Sequence, residues 1–464
     1  MVDWMRRKPI LTAILVVAFC LVVQGYRILS LALDLRAVLV IVHGTGVGPA
    51  LPPTTSVASW PASPRYAIDL AVGLEPPAGV GKSSDLGQLV GKSYNPGDPF
   101  FAPDAEIREY LEQVPGLDAT ARRLTERLAG GLASWPVPAP DPAHVHFLAP
   151  MPDWRGGRAA GRFWCLLAWH LARHGDPGEA LLAACGPAIL AGHQEARETQ
   201  VAGLTLISKM IGTALRRMSG QALQAIAPVI RPTKAQAVDL LRWVETCEAH
   251  SLSLARALHN EMNFLPSVGY YGELEIQSGD AMKIYGRNPS ALMRVLRNKA
   301  LVDSYLDPIL GECIRACDEP YPVAVGRIKG AMARIEDLQA TLFRPGLHWL
   351  GFLLRPERAC LEMILCLATP NITGAYGQVV LAQAQVRGGA AAVAIQAFRQ
   401  EWGCWPSSLA DLEGWMDGVA LPTDPFTGGS FGFVAGNRPA LTSPGPDLAT
   451  GTADDLDFLA PTGN

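Results

Sequence analysis

Hydrophobic residues are spread unevenly along the chain, and the longest apolar run lies near its beginning. Pro9 to Val23 is almost unbroken in apolar character, and the run extends to Leu33 if Gln24 and Arg27 lie at the far membrane interface. A helix of about 20 apolar residues spans the hydrocarbon core of a bilayer. We therefore predict a transmembrane anchor over residues 9–33.

The charges that flank this run predict its orientation. Arg6, Arg7 and Lys8 precede it, and the positive-inside rule places such a cluster in the cytoplasm. A cleaved signal peptide is the alternative, but Val22 to Tyr26 contains no small-x-small cleavage pattern. The prediction is a cytoplasmic segment 1–8 and a single-pass inner-membrane protein whose C-terminal part is periplasmic.

Residues 44–105 are rich in Gly, Pro and Ser and show little apolar periodicity, which predicts an irregular spacer. Two Val-Gly-Lys-Ser sequences, at 80–83 and 90–93, resemble the end of a phosphate-binding loop. That loop requires a glycine five residues before its Gly-Lys pair, where this chain has Pro76 and Leu86. We therefore expect no nucleotide site here.

Helical periodicity dominates residues 106–370. From Arg158 to about Ala257 apolar residues recur at intervals of three and four, with breaks at 175–177 and 231–232. This pattern predicts antiparallel helical hairpins in a mainly α domain. Further helices are predicted at Pro289–Leu301, Ser304–Cys317, Pro322–Leu342 and Arg355–Leu367.

The segment 371–464 differs in kind and is predicted to be a separate small α+β domain. An amphipathic helix from Ala391 to Trp402 is predicted to end at Gly403. Four features then follow in order: Trp405-Pro406-Ser407-Ser408-Leu409, Leu421-Pro422-Thr423-Asp424-Pro425-Phe426, a short strand Ser430 to Val434, and Ser443-Pro444-Gly445-Pro446-Asp447. The acidic sequence Gly451-Thr452-Ala453-Asp454-Asp455-Leu456-Asp457 comes last.

This ordered series resembles the C-terminal half of the major pseudopilins of type II secretion systems, over residues 385–460. In that family a long helix leads into an aromatic-Pro-x-x-Leu turn, an Asp-Pro loop, a small antiparallel sheet and an acidic loop around a calcium ion. The resemblance implies a calcium site, with Asp447, Asp454 and Asp455 as carboxylate ligands. It also implies carbonyl ligands, for which Pro444 and Thr452 are the candidates.

The chain also departs from that family. Pseudopilins carry Gly followed by Phe-Thr-Leu-x-Glu before the membrane helix, whereas the segment 8–12 has neither that Gly nor the Glu. We therefore do not expect polymerisation into a pseudopilus. The whole chain also looks like uncharacterised membrane-anchored bacterial proteins with such a tail.

An EF-hand is excluded at the acidic loop. The twelfth position counted from Asp447 is Phe458, where that motif requires a bidentate Glu. The alternative to a calcium site is a solvated acidic tail near a chain end. Asp457 is the spare carboxylate, which we expect to be a neighbour of the calcium site or a group behind its ligands rather than a ligand itself.

Composition removes several other classes of protein. With 464 residues the chain has material for two or three globular parts, and its formal net charge of −4 lacks the basic excess that nucleic-acid binding requires. None of the nine cysteines forms a Cys-x-x-Cys pair, so zinc is not expected. Four of them are predicted to be buried apolar residues of helices: Cys165, Cys185, Cys247 and Cys313.

Candidate catalytic residues each lack a necessary partner. His170 and His174 stand one helical turn apart, but Leu171 occupies the position of the general-base Glu of zinc peptidases. No serine lies in a Gly-x-Ser-x-Gly or Ser-x-x-Lys sequence. Glu261 is a lone carboxylate, which predicts a solvated residue, so no catalytic residue is assigned.

The function predicted from these patterns is a membrane-anchored interaction or scaffold protein of the cell envelope, with protein partners there and a calcium-stabilised tail. Two alternatives stay open. One is an envelope hydrolase with a site in a groove of the helical domain, and the other is an accessory component of a type II secretion-like apparatus.

Overall fold

The computed structural model describes residues 88–90, 100–112, 126, 129–130, 154–201, 205–263, 296, 298–342, 361–362, 366 and 371–460. The predicted anchor lies outside these residues, as do most of the predicted spacer and of the helices predicted at 289–301 and 355–367. Within the described ranges, no helix combines the length and the apolar character needed to cross a bilayer.

The described chain is mainly helical, as predicted. Its α-helices include α1 (Asp104–Glu112), α2 (Trp154–His174), α3 (Pro177–Val201), α4 (Leu206–Ile226), α5 (Lys234–Ala249), α6 (Lys299–Leu306), α7 (Glu312–Ala316), α8 (Tyr321–Leu342), α9 (Ile372–Trp402) and α10 (Leu409–Trp415). A further helical segment covers 254–263. A π-helical turn, Asp307–Gly311, joins α6 to α7, so the helix predicted over 304–317 begins earlier and changes its winding midway.

Short connections set the arrangement of α2 to α5. Only two residues link α2 to α3, and the two helices pack along each other, which requires them to run antiparallel. Asp176 marks the break, because its Oδ1 accepts from the Gly178 and Glu179 amides at 2.8 and 3.1 Å. A capping box between Thr233 and Gln236 starts α5. Both predicted breaks are confirmed.

Helix α9 is the centre of the molecule, and here the prediction needs correction. The helix ends at Gly403 as expected, with φ of 71° at that residue, but it begins at Ile372, capped by Asn371, rather than at Ala391. It is also not amphipathic, since every residue from 388 to 397 is buried. Ala and Gly dominate this stretch, and their small side chains let neighbours pack on all sides.

Helices α4 and α9 cross at glycine contacts. A Cβ atom on Gly220 would lie 2.4 Å from the carbonyl carbon of Gln385, and one on Gly389 would lie 2.8 Å from the Gly220 carbonyl oxygen. Neither backbone could approach so closely if these residues carried side chains. This crossing is referred to below as the glycine crossing.

The tail adds a three-stranded antiparallel sheet in the order β1 (Gly432–Val434), β2 (Ala440–Ser443), β3 (Leu456–Asp457). In its register Phe433 pairs with Leu441. The sheet lies on α9, where Phe458 fills the space that a side chain on Gly388 would need.

One hydrophobic core runs through the helical part and the tail. The larger apolar cluster joins Trp164 of α2 and Leu223 of α4 to Ile395, Leu441 and Phe458. Residues on both sides of the predicted boundary at 371 thus contribute to this cluster. The four helical cysteines predicted to be buried are buried and free, which confirms that prediction.

Candidate functional sites

The acidic loop between β2 and β3 has a backbone that only certain residues can adopt. It opens with a 3-10 turn, Gly445–Asp447, in which Gly445 has φ of 69°. A Cβ atom on Gly445 would lie 2.3 Å from the Asp454 carbonyl oxygen. The glycine thus lets the two ends of the loop meet, since an L side chain would be strained and would also clash.

Four of the predicted calcium ligands are joined in one hydrogen-bond network, in which the Thr452 hydroxyl lies within bonding distance of both Asp454 and Asp455. The carboxylate of Asp454 accepts from the Asp447 amide at 3.1 Å and from the Thr452 hydroxyl at 2.8 Å. The Thr452 hydroxyl bond is the main reason that the pKa of Asp454 lies below its ordinary value. This carboxylate is therefore ionised at neutral pH.

The remaining carboxylates belong to the same loop. Asp455 accepts from the Gly451 amide at 2.6 Å, and Asp447 accepts from the Ala449 amide at 2.8 Å. Asp457 instead accepts from the amides of the next turn, Leu459 and Ala460. Pro444 precedes the 3-10 turn and is half-buried.

The donor set suits a hard cation, although the carboxylates are not gathered around one point. Across the described ranges, no three His, Cys, Asp or Glu side chains lie close enough together to hold a metal ion. The available groups are all oxygen donors, which Ca²⁺ prefers in numbers of about six to eight. To bind a cation, the carboxylates of Asp454 and Asp455 would have to give up hydrogen bonds from amide and hydroxyl groups and coordinate the cation instead.

The acidic loop is fastened to the helical body through Tyr321, the first residue of α8. The Tyr321 hydroxyl donates to the Pro446 carbonyl at 3.1 Å, and its ring meets that of buried Phe426 edge-on at 4.9 Å. Burial, followed by the charge of Asp454, raises the pKa of Tyr321. On the other side, Gln224 of α4 donates to the Asp457 carbonyl at 2.9 Å.

The Asp-Pro-Phe sequence forms the loop that supports this contact. Asp424 is fully buried, and its carboxylate accepts from the Phe426 amide, the Thr427 hydroxyl and the Ser443 hydroxyl at 3.0, 3.2 and 3.0 Å. The side chain thus closes its own turn and ties it to β2. Its role here is structural, because buried polar groups need such partners.

A second polar cluster, the buried ion triad, consists of Glu195 on α3 with Lys209 and Arg216 on α4. Lys209 donates to Glu195 Oε1 at 3.2 Å, and Arg216 donates to Oε2 at 2.9 Å. All three side chains are nearly inaccessible to solvent. Burial lowers the pKa of Lys209 to about 8, although Glu195 opposes this. Burial raises the pKa of Glu195, but the two cations together bring it below its ordinary value.

The triad is built to join elements rather than to exchange protons. Glu195 Oε2 also accepts from the Leu252 amide at 3.1 Å, and Oε1 serves both cations, so each oxygen already has two donors. Lys209 additionally donates to the Ser251 hydroxyl at 3.1 Å. The carboxylate therefore links α3, α4 and the chain after α5.

The catalytic candidates from the sequence are placed differently. Glu261 is not a solvated carboxylate: it is half-buried and accepts from the Leu206 amide at 2.9 Å, at the start of α4. A sequence pattern could not show this contact, because 55 residues separate the two. The His170 and His174 rings lie 5.3 Å apart on α2.

Comparisons of this chain with protein-family models, with curated proteins and with solved structures give no match.

Proposed function

We propose that this protein is a membrane-anchored interaction protein of the cell envelope whose pseudopilin-like tail binds calcium. The observation that carries the proposal is the acidic loop, which projects its Asp447 and Thr452 to solvent while Tyr321 and Gln224 hold it on the helical body. A loop fixed in this way can report calcium occupancy to a surface that a partner contacts.

The membrane part of the proposal is supported by the apolar run over 9–33 and the basic residues before it. On this proposal the chain crosses the inner membrane once, and the helical body and the tail are periplasmic. Calcium at millimolar concentration would then reach the acidic loop directly.

Calcium is expected to stabilise the full-length chain in detergent. Extracellular calcium modules have dissociation constants of about 0.1–1 mM. At about ten times the dissociation constant, free calcium would add about 1.4 kcal/mol to the free energy of unfolding. Asp454→Asn should abolish this gain, because it removes a charge from the ligand set. Chemical unfolding in calcium and in chelator measures both effects.

The matched control is Asp239→Asn, which removes one partly exposed carboxylate from α5, where it pairs with Arg242. This variant should respond to calcium as the wild type does. Identical unfolding of wild type and Asp454→Asn, with and without calcium, would refute the calcium site.

The interaction role predicts calcium-dependent capture of a partner. Full-length tagged chain, crosslinked in membranes and solubilised, should retain a defined protein in calcium and lose it in chelator. Asp454→Asn should fail to retain it under both conditions, and Asp239→Asn should behave as the wild type. Recovery of the chain in the soluble fraction would count against the anchor, and calcium-independent capture would count against the role of the loop.

A further inference from the structure

Strand β1 forms one edge of the small sheet in the tail, because the strand order is β1-β2-β3. In the register of this sheet, Phe433 of β1 lies opposite Leu441 of β2. The Leu441 carbonyl accepts from the Phe458 amide at 2.9 Å, on the side of β3. The N–H and C=O of one residue in an antiparallel strand point to the same side, so those of Leu441 face β3 and those of Phe433 face away from β2. The backbone groups of Phe433 therefore lie on the outer edge of the sheet.

This edge has none of the residues that usually protect an edge strand. Proteins place Lys, other charged residues or Pro there, because unpaired backbone groups can pair with another chain. Here no charged residue occurs between Asp424 and Arg438, and Pro425, ahead of the strand, is the only proline between them. Among the described residues, none bonds to the Phe433 backbone from the outer side. The edge is thus open to pairing with a further strand.

The two faces of β1 differ in character. Phe433 is partly buried and packs against the larger apolar cluster. Side chains alternate between the faces of a strand, so Gly432 and Val434 share the opposite face, where Val434 is 62% exposed. Gly432 is exposed too, and a Cβ atom on it would lie 2.6 Å from Thr442 Oγ1. The outer face of β1 thus presents an apolar side chain beside a position that has no side chain.

We infer that β1 pairs with β1 of a second copy of this chain, antiparallel and about a two-fold axis between the two Phe433 residues. In that register the two Phe433 residues exchange both of their backbone hydrogen bonds. Each Val434 then lies opposite Gly432 of the other copy, in a non-hydrogen-bonded pair whose Cα atoms are about 4.5 Å apart. The valine side chain covers the bare glycine. A strand of unrelated sequence would bond to the same backbone groups, but the match of Val434 with Gly432 favours the strand itself.

The inferred contact is small. Only three residues of each copy pair, so the buried area is far below the about 1,200–2,000 Å² of stable complexes. Two-fold pairing uses the β1 edge of each copy once, so the assembly closes as a dimer. We expect weak association in dilute solution and stronger association where two copies share a membrane, and the second expectation rests on the anchor proposed above.

Crosslinking of the purified full-length chain, in an uncharged detergent with chelator, tests this register. The two Val434 residues of the dimer lie diagonally across the axis, at about 7–8 Å. With the exposed Cys404 changed to Ser, Val434→Cys should form a covalent dimer with a bismaleimide of that length. The matched control is Val323→Cys in the same background, on α8, where the valine is 53% exposed. It should give no more dimer than the parent Cys404→Ser chain.

Val434→Lys tests the same contact without a crosslinker. Two lysines would meet across the axis, and like charges on neighbouring strands are destabilising. Sedimentation velocity over a range of chain concentrations should show a monomer–dimer equilibrium for the wild type. The dissociation constant of Val434→Lys should be higher by about tenfold or more. Val323→Lys adds the same charge outside the sheet and should stay within about twofold of the wild type, because screening weakens distant surface charges.

A dimer with Val434→Cys but not with Val323→Cys, together with weaker association of Val434→Lys, would support the pairing. Equal crosslinking of the two cysteine variants, or equal dissociation constants of the two lysine variants, would overturn it. A wild-type chain that stays monomeric while Val434→Lys loses an envelope partner would also overturn it, because the edge would then bind a strand of another protein. All of these measurements are made in chelator, so failure of the calcium site would not affect them.

Discussion

Glu195→Ala is expected to lower the free energy of unfolding by about 3–5 kcal/mol, because it leaves Lys209 and Arg216 as unpaired buried charges. Both cations sit in a part of the core where nothing else in the described structure carries a compensating carboxylate within bonding distance. Urea unfolding of the full-length chain measures the loss. Glu245→Ala, an exposed site on α5, is the control and should stay within about 0.5 kcal/mol of wild type.

The triad also predicts a pH dependence with a definite sign. The pKa of Glu195 is depressed in the folded chain, so its contribution is present above the ordinary value of 4.5 and is lost as the pH falls further. Lys209 has a folded pKa of about 8 against an ordinary 10.5. Between about pH 8 and pH 10.5 the unfolded chain therefore binds more protons than the folded chain, so the free energy of unfolding should rise with pH. Lys209→Met should flatten that rise.

The stability prediction for Glu195→Ala has its own contradicting outcome. A decrease in the free energy of unfolding of less than about 1 kcal/mol would contradict the argument from burial.

Gly220→Val is expected to destabilise the fold by about 3 kcal/mol or more, at the upper end of overpacking costs. The added atoms would meet the backbone of Gln385, which cannot rotate away as a side chain could. The control is Gly377→Val on α9, where no atom of the described residues, apart from the backbone of the helix itself and the two neighbouring residues, lies within 4 Å of the added Cβ. Thermal unfolding of both variants measures the difference.

Gly is among the poorest helix formers, so its replacement within a helix usually stabilises the helix. A loss of stability in Gly220→Val but not in Gly377→Val would therefore be due to packing. Gly377→Val should therefore be neutral or slightly stabilising. Gly389→Ala provides a milder test of the same contact, since its Cβ would approach the Gly220 carbonyl oxygen. Equal stability of Gly220→Val and Gly377→Val would show that the glycine crossing does not limit packing.

The sequence predicted correctly those features of the fold that depend on residues close together along the chain. The breaks near Asp176 and Pro232 and the helix end at Gly403 follow from capping and from backbone preferences. The helical class follows from periodicity. The start of α9 was missed because a helix buried on all sides has no apolar stripe, and the period that identifies an amphipathic helix is then absent.

The polar sites were missed for a different reason. Glu195 meets Lys209 and Arg216 across two helices, and a charged residue in a sequence reads as solvated until its partner is known. The only local signal was that Lys209 and Arg216 lie two helical turns apart on α4.

The central position of α9 has a consequence for the order in which the chain acquires its structure. The Gln400 side chain of α9 bonds the Ile230 carbonyl across 170 residues, and Gln224 bonds Asp457 across 233. Contacts so distant in sequence form late, because closing the long loop between them carries a large entropic cost. During synthesis α4 therefore emerges long before the helix that covers it. Until α9 has been synthesised, the apolar face of α4 is exposed and can associate with other chains. A chaperone that holds unfolded chains would bind at this face of α4.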